Sequence, residues 1–328
     1  MPANLTPQYK EAEQRYRQAK SLPAKVAALQ EMMAVIPKHK GTDHLRADLR
    51  ARMSRLMEEV EKPQATSGGP QPFSIRKEGA GQVLIIGLPN SGKSELLNAL
   101  TGAPAKVGDY PFTTQVPMVG MLPFENVLFQ LVDTPALNDK DIQTRLFGLL
   151  RNTDLLLVAL DLSDDPVREM KEINDLLDQW GYSLLETGQA IDEEGARIQK
   201  PAILIANKTD LEGAQQRYTE LQHRYGQRFL ILKVSCMDGT GLETLSEEVF
   251  KSLNKVRVYT KSPTGQPDYD TPIVMARGST TADAAERLHR EWREKLKYAL
   301  LWGSAKFDGQ RVGRDYVLSD GDVIELHG

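Results

Sequence analysis

The residues with the clearest chemical purpose are Gly87-Leu88-Pro89-Asn90-Ser91-Gly92-Lys93-Ser94, which fit the spacing G-x-x-x-x-G-K-(S/T). Two glycines at this separation allow backbone geometry that a Cβ would obstruct, so successive amides can turn inward on a phosphate. Lys93 is placed to reach the β- and γ-phosphates of a nucleotide, and Ser94 to offer its hydroxyl to Mg²⁺. Gly87, Pro89, Asn90, Ser91, Gly92, Lys93 and Ser94 are therefore candidate nucleotide contacts. A β-branched run directly before the motif reads as a buried strand, and Glu95-Leu96-Leu97-Asn98-Ala99-Leu100 directly after it reads as a helix. Strand, glycine-rich turn and helix start are the setting this loop requires.

Four further signals fall at strand edges downstream. Asp133-Thr134-Pro135-Ala136 follows an apolar run, where an Asp can hold Mg²⁺ and the backbone beyond it can sense a γ-phosphate. Asn207-Lys208-Thr209-Asp210 follows another run. Its Asp210 carboxylate can accept both N–H donors of a guanine edge, an arrangement adenine does not offer, while Lys208 lies along the base and Asn207 ties the loop together. Ser235-Cys236-Met237 comes just past the next strand, where a backbone amide can meet the guanine oxygen. Thr113 or Thr114 can place a hydroxyl on Mg²⁺ when a triphosphate is bound, with Thr114 the candidate ligand and catalytic residue. Ras-type enzymes orient the attacking water with a Gln shortly after the Asp that corresponds to Asp133. The matching position here is Leu137, which has no group to hold water.

The elements that must position these residues follow from periodicity. Over residues 80–254 strands and helices alternate, which predicts a layered α/β nucleotide-binding domain with a largely parallel sheet and its ligand at the C-terminal strand ends. Strands are expected at 83–86, 115–119, 127–132, 155–160, 202–206 and 229–233, and residues 181–200 read as a polar surface excursion. Residues 1–72 read as helical segments ending in a linker, with apolar residues at helical spacing. Between Lys38 and Arg55 stand six Lys or Arg against two Asp, which suits either a packed hairpin with a solvated charged face or a basic helix facing RNA. Residues 255–328 read as two strands, an amphipathic helix capped by Thr280 or Thr281, and further strands, a β-grasp-like module.

The totals are those of an ordinary globular chain: 328 residues, 40% hydrophobic, 26% charged, formal charge -4. That charge argues against wholesale coating of nucleic acid. One cysteine, Cys236, excludes an intrachain disulfide and suits a cytoplasmic setting. The first residues carry no apolar signal core, and no apolar stretch is long enough to span a bilayer.

The chain resembles the developmentally regulated GTP-binding protein (DRG) family within the Obg-like GTPases. Lys40-Gly41-Thr42 with the following basic helix, the phosphate loop together with Tyr110-Pro111-Phe112-Thr113-Thr114, and the tail carry the resemblance. In the tail, Arg277-Gly278-Ser279-Thr280 and Gly309-Gln310-Arg311-Val312-Gly313 resemble a TGS domain. The resemblance implies a P-loop GTPase with a C-terminal TGS domain, acting on ribosomes or translation and docking to RNA or protein through its flanking regions. It also implies that the Asn at position 90 helps hold K⁺ beside the phosphates. Two departures stand out. Ala136 replaces the usual Gly after Asp-Thr-Pro, and the span between Trp180 and Pro201 is too short for the inserted subdomain of eukaryotic DRG proteins. A binding module with incidental hydrolysis is the alternative reading; an ATPase is disfavoured by the intact Asn207–Asp210 motif.

Overall fold

A computed structural model describes residues 7–19, 22–36, 45, 48–49, 52–53, 75–102, 117–139, 143–192 and 197–328. The chain folds as two compact units. The first holds Met1–Lys77, Gln82–Gly120 and Leu131–Glu243; the second holds Glu78–Gly81, Met121–Gln130 and Thr244–Gly328.

In the first unit, α1 (Pro7–Gln18) and α2 (Leu22–Val35) pack together. Tyr9, Ala12, Leu29, Met32 and Met33 are buried between them, and Leu45, Leu49 and Met53 of the basic stretch that follows join this cluster. Lys40-Gly41-Thr42 lies outside the described residues.

The nucleotide-binding domain is built on one sheet. Its strands are β1 (Gln82–Gly87), β2 (Met118–Phe124), β3 (Val127–Asp133), β4 (Leu155–Asp161), β5 (Tyr182–Leu185), β6 (Ile198–Asn207) and β7 (Leu230–Lys233). Their order is β2-β3-β1-β4-β6-β5, with β7 also pairing β6. The β1–β4, β4–β6, β5–β6 and β6–β7 pairs are parallel. All residues of β1 and β4 are buried, as unbroken aliphatic runs in a sheet covered on both faces should be. The helices are α3 (Lys93–Thr101), α4 (Gln143–Asn152), α5 (Pro166–Gln179) and α6 (Ala214–Tyr225). Met170, Ile173 and Leu177 of α5 recur at helical spacing and bury into the sheet core, and Asp165 caps the helix by accepting from the Val167 and Arg168 amides.

One expectation needs correction. Residues 181–200 are not simply an excursion: Tyr182–Leu185 forms a strand in register with residues 198–201, which extend β6 backward. Tyr182 and Leu184 alternate inward and are buried, a period of two too short to stand out beside the polar residues that follow.

The second unit contains α7 (Leu242–Ser252, from Thr244), β8 (Lys255–Thr260), β9 (Asp268–Ala276), α8 (Thr281–Leu288), α9 (Trp292–Lys295), β10 (Tyr298–Trp302), β11 (Gln310–Val312) and β12 (Asp322–His327). The sheet order is β11-β10-β12-β8-β9, with β8 and β12 parallel. Thr280 and Asp283 make a reciprocal capping box at the start of α8, which buries Ala284 against the sheet. The far part of the β2–β3 hairpin belongs to this unit. Arg257 donates to both carboxylate oxygens of Asp320, at 3.0 and 2.7 Å, and also to Glu125 of the hairpin. Asn126 donates to the Tyr259 hydroxyl at 2.7 Å, and Phe124 stacks on Phe250 at 5.1 Å.

Candidate nucleotide site

The phosphate loop leaves the buried centre of the sheet at Gly87. A Cβ there would lie 2.6 Å from the Ser91 hydroxyl and 2.7 Å from the Ala159 carbonyl, so the loop closes against β4 only because residue 87 is glycine. Gly92 has φ 83°, and a Cβ on it would come within 2.2 Å of the Asn207 side-chain amide. Pro89 and Asn90 are exposed, and Asn90 takes a left-handed φ of 65°, which Asn tolerates better than most residues. Ser91 is buried and its hydroxyl donates to the Leu88 carbonyl at 3.0 Å.

Lys93 opens α3 with its amine folded into the loop, donating to the Leu88 carbonyl at 2.8 Å. Burial lowers its pKa, with Asp133 and two glutamates opposing the shift. The Ser94 hydroxyl donates to Asp133 Oδ2 at 2.6 Å. The other Asp133 oxygen, Oδ1, is buried with no hydrogen-bond partner. Burial raises the Asp133 pKa, opposed by Ser94 and Lys93. A hydroxyl and an orphaned carboxylate oxygen, side by side next to a phosphate loop, are hard oxygen donors of the kind Mg²⁺ takes. These residues fit that ion.

Beyond Asp133, the Thr134 amide and hydroxyl both donate to the Ile85 carbonyl, at 3.2 and 2.9 Å. The Leu137 amide donates to the Gly87 carbonyl at 3.3 Å, and its side chain is fully buried in the core. Its side chain therefore presents no polar group to the loop. Thr113 and Thr114 lie outside the described residues.

The base-side loop meets the phosphate loop directly. Asn207 ends β6 and donates through Nδ2 to the Ser91 carbonyl at 3.0 Å. Lys208, at φ 65°, donates through Nζ to the Asn90 carbonyl at 2.8 Å and to Asp161 Oδ2 at 2.5 Å. Asp210 is exposed, and its Oδ1 accepts from the Ser235 hydroxyl at 2.6 Å. That hydroxyl in turn accepts from the Met237 and Asp238 amides, at 3.2 and 3.3 Å, so two loops are locked together around one carboxylate. The Cys236 thiol donates to Asn207 Oδ1 at 3.6 Å, and burial pushes its pKa up to about 11, leaving it a packing group rather than a nucleophile. Met237 is 85% exposed. The structure thus gathers Gly87, Ser91, Gly92, Lys93, Ser94, Asp133, Asn207, Lys208, Asp210, Ser235 and Cys236 at the C-terminal ends of β1, β3, β4, β6 and β7.

Two acidic residues in this cluster escape motif reading. Asp161 is the partner of Lys208, and Glu169 accepts the Asp161 amide at 2.9 Å. The available signal was an Asp placed where the apolar run of β4 stops. Among the described residues, no group of three or more His, Cys, Asp or Glu is placed to hold a metal, and no helix is long and apolar enough to cross a membrane.

Residues 82–208 match the family described as 50S ribosome-binding GTPase, and residues 256–327 match the TGS domain. An uncharacterized GTP-binding protein of Methanocaldococcus jannaschii is 28% identical over 92% of this chain and 91% of its own. Developmentally-regulated GTP-binding protein 1 of Xenopus laevis is 28% identical over 92% of this chain and 98% of its own. That alignment runs over 366 positions, more than this chain has residues, so the relative carries segments absent here. Among solved structures, the G domain of the T. maritima FeoB iron transporter aligns with 52% of this chain and 98% of its own, at 25% identity and a TM-score of 0.40. With a GTPase domain followed by a TGS domain, the chain is similar over 92% of its length to the developmentally regulated GTP-binding proteins.

Proposed function

We propose that this protein is a Mg²⁺-dependent GTPase, converting GTP and water to GDP and phosphate as a slow switch. The observation that carries the proposal is the pairing of Ser94 with Asp133 beside an orphaned Asp133 Oδ1, next to a base-side loop stiffened around Asp210. Ser94, Asp133 and Thr114 would hold the metal, which supplies charge neutralisation on the phosphates when bound. Gly87, Asn90, Ser91, Gly92 and Lys93 would cradle the phosphates, and Asn207, Lys208, Asp210 and the Ser235–Met237 turn would read guanine. Slowness follows from Leu137, which is buried and cannot orient water. A missing stabilising charge must then come from an ion or a partner. Asn90 is the candidate K⁺ contact. Turnover in KCl against NaCl, for wild type and Asn90→Ala, tests it; four equal rates would end the K⁺ reading.

The switch would act in the cytoplasm on ribosomes or translation, with the N-terminal helices and the TGS domain as recognition arms for RNA or protein. The matched GTPase family's description and the presence of a TGS domain support this. Co-sedimentation with ribosomes in GDP and in a non-hydrolysable GTP analogue tests it. Association that depends on the nucleotide is expected, and equal or absent pelleting in both would remove the translation assignment while leaving the nucleotide chemistry intact.

A further inference from the structure

Lys208 is a long, flexible cation on a loop, yet it spans two separate elements. Its amine reaches the Asn90 carbonyl of the phosphate loop and the carboxylate of Asp161. Asp161 is the last residue of β4 and faces Asn207 in the β4–β6 ladder, so strand register itself sets the carboxylate beside the base-side loop. The carboxylate is fixed from the other side too, because the Ser163 amide donates to Oδ1 at 2.7 Å. Its own amide donates to Glu169 Oε2, on the first turn of α5. Nothing in the phosphate or base motifs requires this Asp–Glu pair, and both residues are buried.

We propose that Asp161 is a positioning residue for guanine-nucleotide binding, holding Lys208 across the phosphate loop, and that Glu169, the buried anchor of its main chain, makes nucleotide affinity proton-linked. The proposal rests on reading Lys208 as the base-side lysine. Without the Asp161 carboxylate, a four-carbon stem must be ordered at the moment of binding, and affinity falls by that entropy.

The charged groups facing Glu169 are Asp161 at the end of β4, Asp164 in the turn after it, Lys208 after β6 and Lys93 at the start of α3. Burial foremost pushes the Glu169 carboxyl up to about 7; the bond from the Asp161 amide pulls the other way. A polyphosphate docking at Lys93 adds negative charge to these surroundings, which favours protonated Glu169. Binding then takes up a proton near neutrality, and affinity weakens as pH rises through that range.

The test is GDP affinity, by competition against a fluorescent GDP, for wild type, D161N, K208A, the D161N/K208A double variant, D161E and E169Q. D161N and K208A should each weaken binding by roughly tenfold or more, and the double variant should be no weaker than K208A alone. D161E keeps the charge and should recover part of the loss, which separates positioning from a fold defect. Between about pH 6 and about pH 8.5, the ratio of wild-type to E169Q affinity should fall severalfold, a comparison that cancels the titration of GDP itself. If K208A binds GDP as wild type does, the base-side reading of the loop fails. If K208A weakens binding while D161N does not, or the two losses multiply, the positioning role fails and that reading stands. Parallel pH profiles for wild type and E169Q would overturn the proton linkage.

Discussion

Replacing Asp210 by Asn changes one oxygen to an amide nitrogen and tests the base assignment with almost no change in volume. In the structure Asp210 Oδ1 accepts from the Ser235 hydroxyl at 2.6 Å, and that hydroxyl is itself held by two backbone amides, so the side chain is oriented before any ligand arrives. Asn can keep that bond through its own Oδ1, which turns Nδ2 toward the base. Guanine presents two N–H donors on this edge, and a donor would then face donors. Hydrogen bonds to a charged group contribute about 1.5–3 kcal/mol each. Losing two should cost roughly 3–6 kcal/mol, which is about 150- to 25,000-fold in affinity. Xanthine carries an oxygen where guanine carries the amino group, so that oxygen can accept from Nδ2 and its nucleotide should bind the variant more tightly than GDP does. Competition of GDP and xanthosine diphosphate against a fluorescent nucleotide reads both affinities. GDP binding within about threefold of wild type would refute the argument that Asp210 reads the base.

Other substitutions probe different layers of the same structure. Gly87→Ala places a methyl 2.7 Å from the Ala159 carbonyl, a backbone atom that cannot swing away; a loss of about 1–3 kcal/mol in unfolding free energy and of GDP binding is expected, by denaturant titration and competition. Arg257→Ala removes both side-chain bonds to Asp320 and the contact with Glu125, leaving the backbone bond to Asp320; roughly 2–4 kcal/mol should be lost from unfolding of the C-terminal module, while an unchanged midpoint would contradict this. Lys200 is buried, donates to the Arg151 and Thr153 carbonyls, and has its pKa lowered to about 8, chiefly by burial. Its folded value lies below the ordinary lysine value, so between the two the unfolded chain binds more protons and stability rises with pH. Denaturant titrations of wild type and Lys200→Met across that window should show the rise in wild type alone.

The phosphate loop, its flanking strand and helix, and the base-side loop were legible because each combines a local spacing with an abrupt change of hydrophobic period. The long aliphatic runs of β1 and β4 and the stripe on α5 are strong local signals of the same kind. What stayed hidden depends on distant partners. Asp161 is one acid after an apolar run until the β4–β6 register brings it to Lys208, 47 residues away. Glu169 looks like a solvated helix residue, yet its partner is the Asp161 amide and it is buried. The strand at Tyr182–Leu185 has only two inward residues, and its pairing is made by residues 198–201 beyond a polar stretch. Grouping of the β2–β3 hairpin with the C-terminal module rests on pairs such as Asn126 and Tyr259, 133 residues apart, which no local pattern announces.

The most direct measurement of the central claim is multiple-turnover phosphate release from GTP and from ATP, with Mg²⁺ present and in both K⁺ and Na⁺. Slow release from GTP alone is predicted, lost on chelation of Mg²⁺ and on Lys93→Ala, and faster in K⁺. Equal release from ATP, or GTP turnover indifferent to Mg²⁺ and to Lys93, would contradict it.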